Sequence, residues 1–337
     1  MNKKLLAYLQ YLFFIALAGF FIWLSFHNIN AEKWKQLLAA LKQARLWIFF
    51  PVLFLLLLSH WLRALRWKML IEPLGYQPKS LNVFFGVMVG YFVNLGAPRL
   101  GEIVKCTVLA RYEKVPADKL VGTIVAERAF DLLCLIVVCG VTIALEFNTI
   151  GQFAWDSIAP IFQTRTGKFS YLRIGIIIGG LVLAFFVLRF IMRRYLHLNF
   201  IKKFKAILVG ILHGLTSIRL VKNKWLFLFH TVSIWLLYLF STWLGFFVLQ
   251  ETKHLGIQEA CAVLVMGSIG MIISPGGVGA YPLFIQQTVS LYGIAADPYG
   301  LALGWLLWLG QFIIFIVFGA LSFVLLPTVN RKRHAQA

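Results

Sequence analysis

GAPRLGEIVK, residues 96–105, interrupts the apolar segment 81–95 before it is long enough to cross a bilayer, which takes about 20 apolar residues. A second short apolar segment, residues 261–273, runs into SPGGVGAYP, residues 274–282. Proline and glycine interrupt a helix, and irregular backbone at membrane depth is tolerated only inside protein or beside a water-filled cavity. Two interrupted segments, one in each half of the chain, therefore predict a membrane protein with a central polar site.

The composition is that of a multi-pass membrane protein, because 61% of the residues are hydrophobic and only 13% are charged. Soluble domains have about 25% charged residues. A net charge of +20 in a soluble protein would suggest a nucleic-acid partner. Here the basic residues lie mainly in the loops of one side, so we predict no nucleic acid and a cytoplasmic position for those loops.

The hydropathy pattern predicts an all-α polytopic fold in the cell (cytoplasmic) membrane, with both termini in the cytoplasm. Six full spans are expected at roughly residues 5–26, 46–62, 120–145, 172–191, 225–249 and 301–326. An amphipathic interfacial helix is expected around Trp34 and Leu41, and a basic amphipathic connector at 192–224.

This topology makes residues 1–337 a single transmembrane domain with two halves, 1–191 and 225–337. Each half contains one re-entrant hairpin, near 81–111 in the first and near 258–292 in the second. The hairpins enter from opposite sides, as in an inverted repeat.

Six charged residues fall beside or within apolar segments, in the motifs RLGEIVK and ERAFD. They are Arg99, Glu102, Lys105, Glu127, Arg128 and Asp131. The first three lie three residues apart, on one helix face. These three fit solvated charges at the start of a helix. All six together fit either a mutually neutralised cluster or a site where a lipid headgroup or proton replaces one partner. The last interpretation predicts that Glu127→Gln abolishes activity while the protein stays folded.

The second interruption contains Gly276, Gly277 and Gly279, which permit positive φ angles and close backbone approach. The following helix start would direct its free N–H groups inward, which suits a phosphate or carboxylate. A tight turn between packed helices is the alternative. The chain has no nucleotide loop, metal motif or nucleophile motif, so we predict no cofactor, metal or catalytic residue.

Four motifs, in this order, resemble the lysylphosphatidylglycerol synthase transmembrane family, the flippase-like domain of the multiple peptide resistance factor. They are RALRWKMLIEPLG, GAPRLGEIVKCTVLARYEKVP, VAERAFDLLCL and SPGGVGAYP. The resemblance implies movement of a phospholipid between leaflets, with Arg99, Glu102, Glu127, Arg128, Asp131 and the glycine turn near the lipid. The factor's soluble aminoacyltransferase domain has no counterpart in this sequence, so no synthase activity is expected, and the lipid need not be a lysyl lipid.

We therefore expect flipping or scrambling of a phospholipid or lipid-linked anionic headgroup such as a polyprenyl phosphate. Arg99 and Lys105 would hold the headgroup phosphate, and Glu127 and Asp131 would set the local charge. With no nucleotide site, a gradient or the lipid's own concentration difference would supply the energy. The alternatives are a membrane-embedded transferase with Glu127 or Asp131 as general base, or a membrane partner subunit of a lipid-modifying enzyme. A homodimer is left open.

Overall fold

The computed structural model describes residues 3–27, 29–97, 100–147, 175, 179–180 and 221–334. Within these ranges every regular element is a helix. The predicted span 172–191 and the basic connector 192–224 lie outside them, except at 175, 179–180 and 221–224.

The first group of helices precedes the undescribed part of the chain. Its members are α1 (Lys3–Phe26), α2 (Ala31–Gln43), α3 (Phe49–Ile71), α4 (Ser80–Gly96), α5 (Leu100–Glu113) and α6 (Ala117–Leu145). The second group follows it, with α7 (Lys224–Phe246), α8 (Ile257–Ile273), α9 (Ala280–Ser290) and α10 (Leu301–His334).

Four helical stretches in the described part of the chain are long and apolar enough to cross a membrane. They are Leu46–Leu74, Ala117–Leu145, Lys224–Phe246 and Ala296–Arg331. Each contains most or all of one predicted span. The predicted first span forms the 24-residue helix α1, and α2 forms at the amphipathic stretch, with Leu37 buried and Trp34 exposed.

Local capping signals mark the starts of several helices. The Asn30 side chain before α2 and the Asn223 side chain before α7 each accept a hydrogen bond from a backbone N–H three residues later. At the start of α8, the Glu259 carboxylate accepts from the Gly256 N–H at 2.8 Å. These acceptors satisfy N–H groups that have no partner within the first turn, so the helix starts follow from local sequence.

The first interrupted segment folds back on itself, so that α5 runs antiparallel to α4. A Cβ on Gly101 would overlap the carbonyl oxygen of Gly90, and only glycine permits this approach. The side-chain oxygen of Asn94 accepts a hydrogen bond from the Gly101 N–H at 2.8 Å. The break in the sequence therefore produces a tightly packed helix pair.

The second interrupted segment forms a similar antiparallel pair, α8 and α9. A Cβ on Gly270 would lie 2.7 Å from the Cα of Tyr281, so the two backbones are in close contact. Gly276, Gly277 and Gly279 have positive φ angles of 61°, 72° and 73°, which the sequence predicted for a turn here.

The two groups of helices pack together through α3 and α7, which run antiparallel. The Arg45 N–H donates to the Val248 carbonyl at 2.8 Å at one end of this contact, and Leu70 clusters with Phe227 at the other. Helix α4 packs on α10, and α8 packs on α6. From α3 onward, the first group has the same order as the second: a long helix, a helix pair and a long helix. Each pair contacts the last long helix of the other group.

The turns of the two helix pairs meet in the interior. A Cβ on Gly276 would lie 3.2 Å from Cδ2 of Leu95, at the end of α4. The two interruptions that dominate the sequence are therefore neighbours in space.

Candidate functional site

Five charged side chains form a network between α3, α5 and α6, which we call the buried charge cluster. Arg63 Nη1 lies 3.1 Å from Glu127 Oε1 and 2.6 Å from Asp131 Oδ2. Arg66 Nη2 donates to Asp131 Oδ1 at 2.5 Å. Lys105 Nζ donates to Glu127 Oε2 at 2.8 Å. Charge-assisted hydrogen bonds of this kind are stronger than neutral ones, so the cluster fixes the three helices together.

Sequence spacing explains how these charges meet. Arg63 and Arg66 are three residues apart on α3, and Glu127 and Asp131 are four apart on α6, so each pair lies on one face of its helix. Because α3 and α6 run antiparallel, the two faces can match along their length.

Trp67 completes the support of the cluster. Its indole N–H donates to the Thr123 hydroxyl at 2.9 Å, and Lys105 Nζ lies 4.4 Å from the centre of its ring. A cation over an aromatic face is stabilised by the electrons of the ring. The Lys105 ammonium is therefore held between a carboxylate and an indole, away from solvent.

The cluster has one more cation than it has carboxylates, because Arg63, Arg66 and Lys105 face only Glu127 and Asp131. Arg66 Nε and Nη1 and Arg63 Nε are buried without a hydrogen-bond partner in the described part of the chain. A buried positive excess with unused donors favours the approach of an anion.

The structure divides the six charged residues that the sequence singled out. Lys105, Glu127 and Asp131 belong to the buried charge cluster. Arg128 and Glu102 form a separate, partly exposed pair, with Arg128 Nε 2.9 Å from Glu102 Oε1. Arg99 lies outside the described residues.

Arg63 and Arg66 are the site residues that the sequence analysis did not include. They lie at the end of a predicted span, where basic residues usually face lipid headgroups, so their position alone assigns them to the cytoplasmic side. Two features of the sequence could have identified them. The two arginines of RALRW are three residues apart on a helix, and the two carboxylates inside a later span require buried cations as partners.

A cavity of about 360 Å³, the central cavity, lies where the turns of the two helix pairs meet. Helices of both groups line it, and Arg63 and Asp131 connect it to the buried charge cluster. Its other polar lining residues are His60, Tyr91, Asn94, Arg128, Trp235, Tyr238, Ser241, Thr242, Ser268, Tyr281 and Gln311. The cavity therefore combines two guanidinium groups and one carboxylate with many uncharged hydrogen-bonding groups.

The glycine turn contributes to this cavity through one residue. Gly276 lines it, and the Gly276 carbonyl accepts a hydrogen bond from the Trp308 indole at 2.8 Å. Gly277 packs against Met271, and Gly279 packs against α1. The turn therefore has a structural role and also lines the cavity. The start of α9 contributes Tyr281 to the lining.

His60 is a buried, cavity-lining residue whose two ring nitrogens have no partner among the described residues. Aromatic rings surround it: Tyr91 at 5.0 Å, Phe315 at 5.5 Å and Tyr238 at 6.4 Å between ring centres. An unpaired buried polar group is unfavourable for stability, so it points to a ligand in the cavity. The described part of the chain contains no group of three or more His, Cys, Asp or Glu residues that could hold a metal ion.

Comparison with known proteins identifies related membrane proteins. A family model described as the lysylphosphatidylglycerol synthase TM region matches residues 11–319. The UPF0104 membrane protein MJ1595 of Methanocaldococcus jannaschii is 24% identical over 241 residues, which cover 68% of this chain and 70% of the relative. No solved structure matches the chain.

Proposed function

The chain belongs to the lysylphosphatidylglycerol synthase transmembrane family, and from this premise we propose that it moves a lipid with an anionic headgroup between the two leaflets of the cell membrane. The lipid is a phospholipid or a polyprenyl phosphate. A gradient or the lipid's own concentration difference supplies the energy, and without such coupling the protein is a scramblase.

The central cavity is the observation that carries this proposal. The cavity lies where two interrupted helices meet, and transporters bind their substrates at such places. Its Arg63 and Arg128 side chains suit a phosphate. The positive excess of the buried charge cluster attracts the same group. Lys105, which the sequence suggested as a phosphate ligand, faces Glu127 instead, so we assign it to the stability of the cluster.

We further propose that the two groups of helices are an inverted repeat with re-entrant helix pairs and cytoplasmic termini. The repeated order of helices and the reciprocal packing of α4 on α10 and α8 on α6 support this arrangement. Inverted repeats allow one half to move against the other around a fixed site, and such a movement would expose the cavity to each leaflet in turn.

The transferase alternative has less support. A general base must be free to accept a proton, whereas Glu127 and Asp131 are both bonded to buried cations. These contacts favour a structural and electrostatic role for the two carboxylates.

The test is lipid movement in proteoliposomes made with purified protein. Headgroup-labelled phosphatidylglycerol, phosphatidylcholine and a polyprenyl phosphate would each be followed for the wild type, Arg128→Gln and Glu102→Gln. Both variants break the Arg128–Glu102 pair, but only Arg128→Gln removes a cation from the central cavity. We expect protein-dependent movement of an anionic lipid that falls about tenfold in Arg128→Gln, as for the loss of one charge-assisted hydrogen bond, and much less in Glu102→Gln.

Equal losses in the two variants would mean that the pair matters rather than the cation in the cavity. No movement of any lipid by correctly folded and inserted protein would contradict translocation. The next step would then be a search for a chemically modified lipid.

A further inference from the structure

The wall of the central cavity is apolar and exposed at the seam between α6 and α8. Leu132 and Leu135 of α6 and Ile272 of α8 line the cavity there. Leu132 is 45% exposed and Ile272 is 70% exposed, so the cavity reaches the outer surface of the helix bundle at this seam. In a membrane, that surface faces the hydrocarbon chains of lipids.

The corresponding seam between α4 and α10 is closed. The rings of Tyr91 and Phe315 stack there with their centres 4.7 Å apart. A Cβ on Gly319 would overlap the side chain of Phe92, so the two helices are in close contact. The cavity thus borders lipid through exposed side chains on the α6–α8 side and has a packed wall on the α4–α10 side.

One stretch of α6 changes from charged to apolar along the wall of the cavity. Arg128 and Asp131 line the polar part of the cavity, and Leu132 and Leu135 follow within the next turn. A phospholipid has the same order, with a charged phosphate joined to hydrocarbon. The surface therefore matches an amphiphile in both charge and polarity.

We propose that the α6–α8 seam is a lateral portal, defined by Leu132, Leu135 and Ile272, which holds the hydrocarbon chain of an anionic lipid while its headgroup occupies the central cavity. This inference rests on the proposed function and deepens it, because it states which part of the substrate enters the protein. Keeping the chain in the bilayer avoids exposing its methylene groups to the polar cavity, which would be strongly unfavourable.

The portal can be tested without measuring transport. Benzoylphenylalanine, a photoreactive residue, would replace Ile272, and in a matched protein it would replace Ile15. Ile15 lies on α1, away from the portal residues, and at 69% exposed it matches Ile272, but it does not line the cavity. Each protein would be placed in phosphatidylcholine vesicles with trace radiolabelled phosphatidylglycerol, polyprenyl phosphate or phosphatidylcholine, then irradiated.

Both positions contact bulk lipid, so the informative quantity is the preference for an anionic over the zwitterionic label. We expect that preference at position 272 to exceed that at position 15 by at least about fivefold for one of the anionic lipids, because the headgroup holds the chain in place. The same preference at both positions would overturn the proposal. Crosslinking of position 272 to protein rather than lipid, within the chain or to a second copy, would also overturn it.

A steric test links the portal to transport. Ile272→Trp narrows the seam, whereas Ile15→Trp adds the same bulk on α1, away from the seam. We expect lipid movement to fall several-fold in Ile272→Trp and to stay at the wild-type rate in Ile15→Trp.

The two tests distinguish failure of the portal from failure of the proposed function. A selective crosslink at position 272 without lipid movement would refute translocation and leave lipid binding in place. Wild-type movement that Ile272→Trp does not change, together with no selective crosslink, would refute the portal and leave translocation in place.

Discussion

Arg63 Nη1 on α3 lies 2.6 Å from Asp131 Oδ2 on α6, and these two residues are the members of the buried charge cluster that also line the central cavity. Their contact is therefore the point at which a headgroup could reach the cluster. A phosphate entering the cavity would compete with the Asp131 carboxylate for the Arg63 guanidinium, since both anions accept the same N–H groups. Substrate binding and the packing of α3 on α6 are linked through this pair.

The positive excess of the cluster predicts unequal effects of two substitutions. Glu127→Gln leaves three cations facing one carboxylate, whereas Arg66→Met leaves two cations facing two. We expect Glu127→Gln to lower the free energy of unfolding by about 3–5 kcal/mol, as for a buried pair that loses one partner, and Arg66→Met to lower it less. Thermal unfolding of both variants in detergent measures the difference, with size-exclusion chromatography to verify folding.

The expectation drawn from sequence is that Glu127→Gln leaves the protein folded, and the contacts of Glu127 add that the variant is less stable. Glu127 accepts hydrogen bonds from Arg63 and Lys105 and is almost completely buried, so its charge stabilises the fold. A larger loss of stability in Arg66→Met than in Glu127→Gln would contradict the charge balance described here.

The close contact between Gly101 and Gly90 predicts that a larger residue at position 101 lowers the stability of the protein. In Gly101→Ala the new methyl group would overlap the Gly90 carbonyl oxygen, so α5 must move away from α4. Overpacking of this kind lowers stability by about 1–3 kcal/mol. Gly122→Ala is the matched control, because a Cβ on Gly122 meets nothing within 4 Å. We expect a lower melting temperature for Gly101→Ala alone, and equal melting temperatures would show that the helix pair is loosely packed.

Hydropathy and helix breakers were sufficient to predict the helical membrane fold and both interruptions. Length and composition support four of the predicted spans: 46–62, 120–145 and 301–326 completely, and 225–249 up to residue 246. These features are encoded locally, in apolar runs and in Pro and Gly, so a single sequence reveals them.

The site was harder to predict, because its contacts join distant parts of the chain. Glu127 and Asp131 were conspicuous as charges inside an apolar run, but their partners Arg63 and Arg66 resemble ordinary charges at a span end. Trp308 carries no local signal of a specific role, since an aromatic residue in an apolar span usually serves packing or the membrane interface. Its hydrogen bond to Gly276 depends on how α10 packs against the glycine turn, which no local pattern specifies.

That hydrogen bond predicts a difference between two neighbouring tryptophans of α10. Trp308→Phe removes the donor to the Gly276 carbonyl, while the Trp305 indole N–H has no partner in the described structure. We expect Trp308→Phe to lower the free energy of unfolding by about 0.5–1.5 kcal/mol more than Trp305→Phe, since both replacements remove similar ring area. Thermal unfolding in detergent tests this, and a larger loss in Trp305→Phe would mean that ring packing, not the hydrogen bond, fixes the turn.

His60 predicts opposite changes in stability and activity. Its two ring nitrogens are buried without partners, and the rings of Tyr91, Tyr238 and Phe315 surround it, so a phenyl ring fits the same space. In His60→Phe we expect a melting temperature equal to or above that of the wild type, because buried unpaired polar groups are removed. We expect lipid movement in proteoliposomes to fall about tenfold, because the cavity loses a hydrogen-bonding group for the headgroup. Functional residues often lower stability in this way. A variant that unfolds at lower temperature would instead make His60 a structural residue, and one that moves lipid at the wild-type rate would remove it from the site.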